Sequence, residues 1–368
     1  MSVKTDSVRT LLFQLFGLGA GIATNVVVAR TLGPEGKGLL SYLGSALFVA
    51  VSLGGLGLSS AAVQHLGKGR FRPETVAATQ ALLGLATGLV AAGITIVVLI
   101  LIPSRIEVAP MLVLPFAVVI VFAMVQNDFV GVMVGVGRIR AANRVQVIVP
   151  FCWLGGALIL LAWMRLGSSA AALAWMVAQV AGAAAAVVWV VTRIRPRFRG
   201  LGPCARASLG FGFEAYLANL LWALLLRSDS LLLGWSRGKA LVGIYSIAVL
   251  LAELLWYLPR SLTFALSARV ASATTAEAIS LVQRAARIGL WTVIAAGALL
   301  AAVSPFLIRL LLGPAFAASY RPLLLLLPGI LAGAVAAPLS LFLTQHRGKP
   351  RINAWISGLG LAVNLALN

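Results

Sequence analysis

Long apolar runs separated by short polar turns are the main pattern of this chain. The stretch 26–41, VVVARTLGPEGKGLLS, shows it well, because one apolar run ends at Arg30 and a second begins after Gly38. Glycine and proline break helices, and the charges between them need water. Runs of about 20 apolar residues cross a bilayer as helices. The pattern predicts eleven membrane-spanning helices, near residues 9–29, 39–63, 77–102, 111–135, 145–164, 169–192, 208–233, 240–262, 285–304, 322–344 and 352–368.

A fainter copy of this first turn, LLLGWSRGKALVGIYS, lies 205 residues downstream. The matched pairs are Gly33 and Gly238, Gly38 and Gly243, and Ser41 and Ser246. Each copy opens the second helix of its half, and internal repeats are a common plan of transporters. We therefore predict two related helical lobes, residues 1–200 with six helices and 201–368 with five. The unequal count indicates a chain that is truncated at its C-terminus.

Composition supports a membrane protein and changes how the positive charge is interpreted. The chain is 61% hydrophobic and 10% charged, with a mean hydropathy of +1.02. Ordinary soluble domains are about 25% charged. The net charge of +20 sits in short loops between apolar runs, so it does not indicate a nucleic-acid partner. The fold class is all-α and polytopic.

The loop charges also predict the orientation. With the N-terminus inside, alternate loops place 20 of the 29 Lys and Arg residues on the inner side and 8 on the outer side, while Arg227 lies within a span. Cytoplasmic loops are enriched in Lys and Arg, so the N-terminus is predicted to be cytoplasmic. The longest inner connections are 193–207, which divides the lobes, and 263–284. The second contains Thr274 and Glu277 at capping-box spacing, which predicts a helix start there.

The few cysteines and histidines predict neither a disulfide nor a metal. Cys152 and Cys204 fall in or beside spans on the inner side, where disulfides are rare. His65 and His346 lie near inner helix ends without a second ligand at metal spacing. We expect no metal and no cofactor.

Four stretches of the sequence resemble motifs of a known protein family. ARTLGPEGKGLLS at 29–41 is similar to the signature between the first two helices of bacterial polysaccharide flippases. These are the O-antigen and capsule exporters of the multidrug/oligosaccharidyl-lipid/polysaccharide (MOP) superfamily. Further similar stretches are 225–259, 134–144 (VGVGRIRAANR) and 310–329 (LLLGPAFAASYRPLLLLLPG), in the family's order. The resemblance implies two lobes around a central cleft, with more spans than this chain has.

The resemblance also implies a function. A flippase of this family moves a polyprenyl-diphosphate-linked oligosaccharide across the bacterial plasma (inner) membrane by alternating access, and it makes or breaks no bonds. The implied partners are the lipid-linked oligosaccharide, membrane lipids and other polysaccharide-assembly proteins. We expect a multi-pass transporter that is not an enzyme.

Ionisable residues inside the bilayer are costly and are therefore candidates for function. An arginine fork holds a diphosphate well, and a carboxylate at mid-membrane suits a proton site. The substrate-binding candidates are Arg227, Asp229, Asn25, Gln14 and Arg30. The coupling-ion candidates are Glu253, Asp128 and Glu214.

Each candidate also has a purely structural interpretation. Arg227 can pair with Asp229, although residues two apart on a helix do not face each other, or extend to the outer surface. Glu253 can bond Tyr257 or a neighbouring helix. The remaining alternatives are solvation or pairing with loop arginines for Asp128 and Glu214, a tie between helices for Gln14 and Asn25, and an anchored helix end for Arg30.

Two other functions compete with the flippase. A cation-coupled multidrug exporter of the same superfamily tends to carry a carboxylate in span one, and this span has none past Asp6. The lipid II flippase branch tends to carry an Arg-Asp pair where Thr24 and Asn25 stand here. A membrane glycan ligase or polymerase needs acid/base groups on an outer loop, and those loops carry Glu35 and Glu107, far apart in sequence.

Overall fold

A computed structural model describes residues 3–101, 106–347 and 350–367 of the chain, and these contain helices and no strand. The helices are α1 (Val3–Gly54), α2 (Leu58–Gly67), α3 (Pro73–Leu101), α4 (Pro110–Gly135), α5 (Ile139–Ala157), α6 (Ser168–Arg193), α7 (Leu201–Arg237), α8 (Lys239–Leu254), α9 (Tyr257–Ser272), α10 (Thr275–Leu307), α11 (Tyr320–Leu341) and α12 (Pro350–Leu367). Wider π-helical turns extend three of them, at Leu158–Trp163, Ile308–Leu312 and Phe342–His346. The predicted capping box is present, because Thr274 and Glu277 bond each other's backbone at the start of α10.

The apolar runs form helices as predicted, which confirms the all-α membrane fold. Seven helices of the described chain are long and apolar enough to cross a membrane: Leu15–Gly54, Pro73–Leu101, Pro110–Gly135, Ile139–Trp163, Ser168–Arg193, Thr275–Leu312 and Pro314–Thr344. The first of these lies in α1, a broken helix that covers the first predicted span and the second as far as Gly54. Helices α7, α8 with α9, and α12 cover the other predicted spans.

The turn between the first two spans is shorter than the sequence predicted. A loop was expected over about residues 30–38, but the helix is interrupted at Gly33, with φ 63° and ψ −169°. Pro34 follows as the first residue of the second arm of α1, a position where its missing N–H has no helical partner to lose. Glycine adopts this backbone conformation without steric cost, so one residue is enough to redirect the chain.

Two predicted spans are also broken, where continuous helices were expected. The second span stops at Gly54 and resumes at Leu58, with Gly57 in a left-handed conformation at φ 69°. The eighth span stops at Leu254 and resumes at Tyr257. Pro259 explains the second break, because it has no N–H to bond the Leu255 carbonyl.

Helices α1 to α6 pack on one another, and α8 to α11 pack on one another, while α7 contacts both groups and α12 packs on α7. We refer to the two groups as the first and the second lobe. The first lobe is built around fully buried side chains such as Leu43, Leu112 and Ile120. The second lobe buries Leu323 between its helices. The start of α7 packs on the first lobe, where Cys204 joins a core cluster of that lobe. A lobe boundary at residue 200 therefore stays a prediction.

The repeated turn has the same backbone geometry in both lobes. Gly238 has φ 91° and ψ −177°, close to the values at Gly33. Gly313, before Pro314, is a third such turn, with φ 98° and ψ 168°. Contacts between these segments bring the three turns together at one end of the bundle, which we call the hinge end. The two lobes meet here through α1 and α8.

Candidate functional site

Arg227 on α7 and Glu253 on α8 form an ion pair. The Arg227 Nη1 to Glu253 Oε1 distance is 3.1 Å, and the side chains are 23% and 31% exposed. From the sequence, Arg227 was a candidate for substrate binding and Glu253 was a candidate for the coupling ion. No contact between them was predicted. The pair matches the structural alternative for Glu253, a bond to a neighbouring helix. Its partial exposure leaves both groups within reach of a ligand.

The same guanidinium reaches the other lobe. Its central carbon lies 5.2 Å from the centre of the Phe48 ring, on the second arm of α1. An arginine over an aromatic face is a favourable cation–π contact. The Arg227–Glu253 pair therefore lies where α1, α7 and α8 face one another, between the two lobes.

Asp229 takes part in a second contact between α7 and α8. The Tyr245 hydroxyl donates to Asp229 Oδ2 at 2.6 Å, so α7 and α8 are joined at two heights. Ser228, between the two charged residues, donates to Asn364 of α12 at 3.0 Å. Successive residues of α7 thus point to different neighbours, as the helical geometry requires.

Two tryptophans lie close to the ion pair in sequence. The rings of Trp222 on α7 and Trp256, just after α8, have centroids 5.9 Å apart and are tilted by 31°. Trp222 is 39% exposed. Neither tryptophan was among the predicted site residues. Helical spacing places Trp222 on the same face of α7 as Asp229, and only the contact between helices shows that Trp256 joins it.

Arg30 holds a helix end at the hinge end. Its Nε donates to the Leu311 carbonyl at 2.8 Å, and its Nη2 donates to the Leu310 carbonyl. The last carbonyls of a helix have no partner within the helix, so a guanidinium satisfies them well. This contact ties α1 of the first lobe to the end of α10 in the second.

Asn25 lines a cavity inside the first lobe. Its Nδ2 donates to the Gly21 carbonyl at 2.8 Å. The cavity has a volume of about 90 Å³, and Thr24, Asn25, Lys37, Ser41, Trp153 and Trp175 are among its lining residues. Lys37 was assigned to a surface turn, but it is 8% exposed, because the helix restarts at Pro34 and turns it inward.

Asp128 of α4 is buried within the first lobe. It is 1% exposed, so it is not solvated, and within the described chain it pairs with no loop arginine. Asn127 Nδ2 approaches Oδ1 at 3.5 Å, while Oδ2 has no hydrogen-bond partner among the described residues. Oδ2 lies against Gly84 of α3. Gln80 and Thr87, on the same face of α3, also have buried oxygens without a partner there.

The side chains of Gln14 and Glu214 lie outside the described part of the structure, and those two assignments stay predictions. The described residues contain no group of three His, Cys, Asp or Glu that could hold a metal ion. Cys152 and Cys204 are free thiols, one exposed and one buried.

The fold is similar to those of several solved transporters. An inward-facing multidrug resistance MATE family transporter of the MOP superfamily matches with a TM-score of 0.72 and 18% identity, over 95% of this chain and 84% of that chain. An outward-facing conformation matches with a TM-score of 0.66 and 18% identity, over 95% and 83%. A MOP superfamily transporter from Pyrococcus furiosus, described as having a binding pocket of reverse polarity, matches with a TM-score of 0.62 and 15% identity, over 95% and 84%.

The chain therefore has the fold of these MOP superfamily transporters, with several helices long and apolar enough to cross a membrane. Comparison with curated protein sequences gave no match. The sequence nevertheless places the chain more narrowly, because a family model matches residues 4–270, more than half of it. The chain belongs to the polysaccharide biosynthesis protein family.

Proposed function

We propose that this protein translocates a polyprenyl-diphosphate-linked oligosaccharide across the bacterial plasma membrane for surface polysaccharide synthesis. The observation that carries the proposal is the position of Arg227, a partly exposed guanidinium between two lobes of a polysaccharide biosynthesis protein. A guanidinium binds two oxygens of a diphosphate at once.

Glu253 has a clear part in this mechanism. A cation inside a bilayer needs a partner when no substrate is bound, and Glu253 supplies it. An arriving diphosphate competes with the carboxylate for the same guanidinium. Released from Arg227, the carboxylate becomes a site for a proton, so substrate binding and proton uptake are linked through one arginine.

The contacts at the hinge end support alternating access. Arg30 joins α1 to the end of α10, and the first turns of the second arm of α1 and of α8 touch. The bundle is thus closed at that end.

Asp128 is the second candidate for coupling. The Asp128 carboxylate is buried, and its Oδ2 has no hydrogen-bond donor within the described chain. A proton or a cation bound there would stabilise it. It lies in the first lobe, away from Arg227, so its charge state can change independently of the substrate site.

A multidrug exporter is the alternative function, since such exporters share this fold. The family match favours a glycan substrate over a drug. The deciding experiment deletes the gene in a host that makes the glycan and measures lipid-linked glycan on each leaflet. Accumulation on the inner leaflet, reversed by the wild-type protein, supports the flippase. Normal export together with lost resistance to a cationic drug would instead establish the exporter.

A further inference from the structure

Lys37 is a buried cation without a carboxylate. It is 8% exposed and lies on the second arm of α1, just after the break at Gly33. Its Nζ donates to Ser41 Oγ at 2.7 Å. Among the described residues it forms no ion pair. Lysine is almost never buried without a partner, since removing its ammonium group from water is costly.

The cavity beside Lys37 is large enough to hold the missing partner. Its volume is about 90 Å³, and the half-buried rings of Trp153 on α5 and Trp175 on α6 form part of its wall. A water molecule takes up about 30 Å³ in the liquid. The space therefore admits a carboxylate or phosphate group, with the rest of a larger ligand left outside it.

The polar groups of the cavity are mainly donors. Lys37 donates one hydrogen bond, to Ser41, and keeps two ammonium hydrogens. Ser41 accepts that bond, so its own hydroxyl hydrogen is free to donate. Asn25 Nδ2 donates to Gly21 and keeps a second hydrogen. Thr24 already donates to Ala20 at 2.7 Å. The free hydrogens fit an oxyanion, and the Lys37 charge disfavours a cation in the same space.

The corresponding place in the second lobe is built with the opposite charge. At the offset of 205 residues, Thr24 corresponds to Asp229 and Leu40 to Tyr245. In that lobe the tyrosine hydroxyl donates to the aspartate at 2.6 Å, so the acid has an internal donor. In the first lobe the matching leucine leaves space, and Lys37 faces it without an internal acid. The two lobes thus differ where their sequences diverge.

We propose that the cavity around Lys37 is an oxyanion-binding site that takes a carboxylate or phosphate group carried by the sugar part of the transported glycan. The proposal rests on the proposed flippase function and narrows its substrate to acidic glycans. Lys37 provides the charge, Ser41 and Asn25 provide hydrogen bonds, and the two tryptophans form part of the wall around the anionic group. The site is separate from the Arg227 site, which takes the diphosphate.

The test measures binding rather than transport. The purified full-length protein in lipid nanodiscs is titrated with glucuronate, inorganic phosphate or glucose, and tryptophan fluorescence reports occupancy beside Trp153 and Trp175. The variant is Lys37→Met, which keeps the length of the side chain and removes the charge. The matched control is Lys239→Met, which removes a lysine from the equivalent turn of the second lobe.

Wild type and Lys239→Met should bind an anion saturably and should not bind glucose. Lys37→Met should lose about ten- to hundredfold in affinity, the usual effect of one lost charge-assisted bond. A response to glucuronate alone assigns the site to a sugar carboxylate, and a response to phosphate alone assigns it to a sugar phosphate. Equal binding of glucose, or undiminished anion binding by Lys37→Met, would overturn the proposal.

Ser41→Ala covers the case in which Lys37→Met does not fold, because it keeps the cation and removes one donor. It should weaken anion binding by about two- to tenfold. Failure of this binding proposal can be distinguished from failure of the proposed flippase function. If deletion of the gene leaves glycan export intact while Lys37-dependent anion binding persists, the function is wrong and the site is right.

Discussion

Gly38 of α1 and Gly243 of α8 pack against each other across the two lobes. A methyl group on Gly38 would overlap the Lys239 carbonyl, and one on Gly243 would overlap the Pro34 carbonyl. The two contacts are reciprocal, and the two glycines are a matched pair of the sequence repeat. The lobes therefore meet at the hinge end through two equivalent glycines, each of which packs directly against the backbone of the other lobe.

Substitution at this crossing should open the hinge end. Gly38→Ala places its methyl group on rigid backbone, and overpacking of this kind costs about 1–3 kcal/mol. We expect a lower melting temperature in detergent and reduced glycan export. Gly44→Ala, on the same arm but with nothing within 4 Å of the added methyl group, is the control and should behave as wild type. Full export and stability in Gly38→Ala would show that the contact is dispensable.

Arg227→Ala should strongly reduce transport without unfolding the protein. Removing a charge-assisted contact to the diphosphate costs roughly 1.5–3 kcal/mol, or about a ten- to hundredfold loss of export. Arg227→Lys keeps the charge but not the fork, so its export should be intermediate. Export of labelled glycan is measured in cells that express each variant at wild-type level.

A double variant separates binding from structure at the same site. Arg227→Met alone leaves the partly exposed Glu253 carboxylate without its partner and should lower the melting temperature. Arg227→Met combined with Glu253→Gln removes both charges and should restore the melting temperature. Export should stay lost in the double variant, because the diphosphate still lacks its arginine. Recovery of export would assign the pair a structural role only.

Asp128 should matter for coupling and not for folding. Asp128→Asn keeps the shape of the side chain and removes a charge that has no donor at Oδ2 within the described chain, so the melting temperature should not fall. We expect export by this variant to lose its response to collapse of the proton gradient. Glu107→Gln, a change at an exposed acid, is the control. A variant that still responds as wild type would exclude Asp128 from coupling.

The topology prediction is tested by chemical labelling. Cysteines replace the exposed residues Arg237, Arg70 or Arg197 in a background in which Cys152 and Cys204 are changed to serine. The cysteine at 237 should react with an impermeant thiol reagent added outside intact cells, and those at 70 and 197 should not. Arg105, which lies outside the described residues, should label like 237. The reverse pattern would place the N-terminus outside.

The sequence by itself determined where the helices run and where they turn. Apolar runs with no partner for their backbone groups in lipid must be helical, and the structure agrees. Gly33 and Gly238 were found from a constant offset, and both have the backbone conformation that glycine allows. The capping box at Thr274 was readable because it is local, with all its groups within one turn.

The tertiary structure alone decided what each charge faces. Helical periodicity shows which residues share a face, but it does not show which helix covers that face. Arg227 and Glu253 are 26 residues apart and meet because α7 and α8 pack side by side. The sequence predicted Lys37 to be a surface charge, but the one-residue turn at Gly33 places it inside the first lobe. Partners of buried charges are set by packing between distant segments, and no local pattern in the sequence encodes that packing.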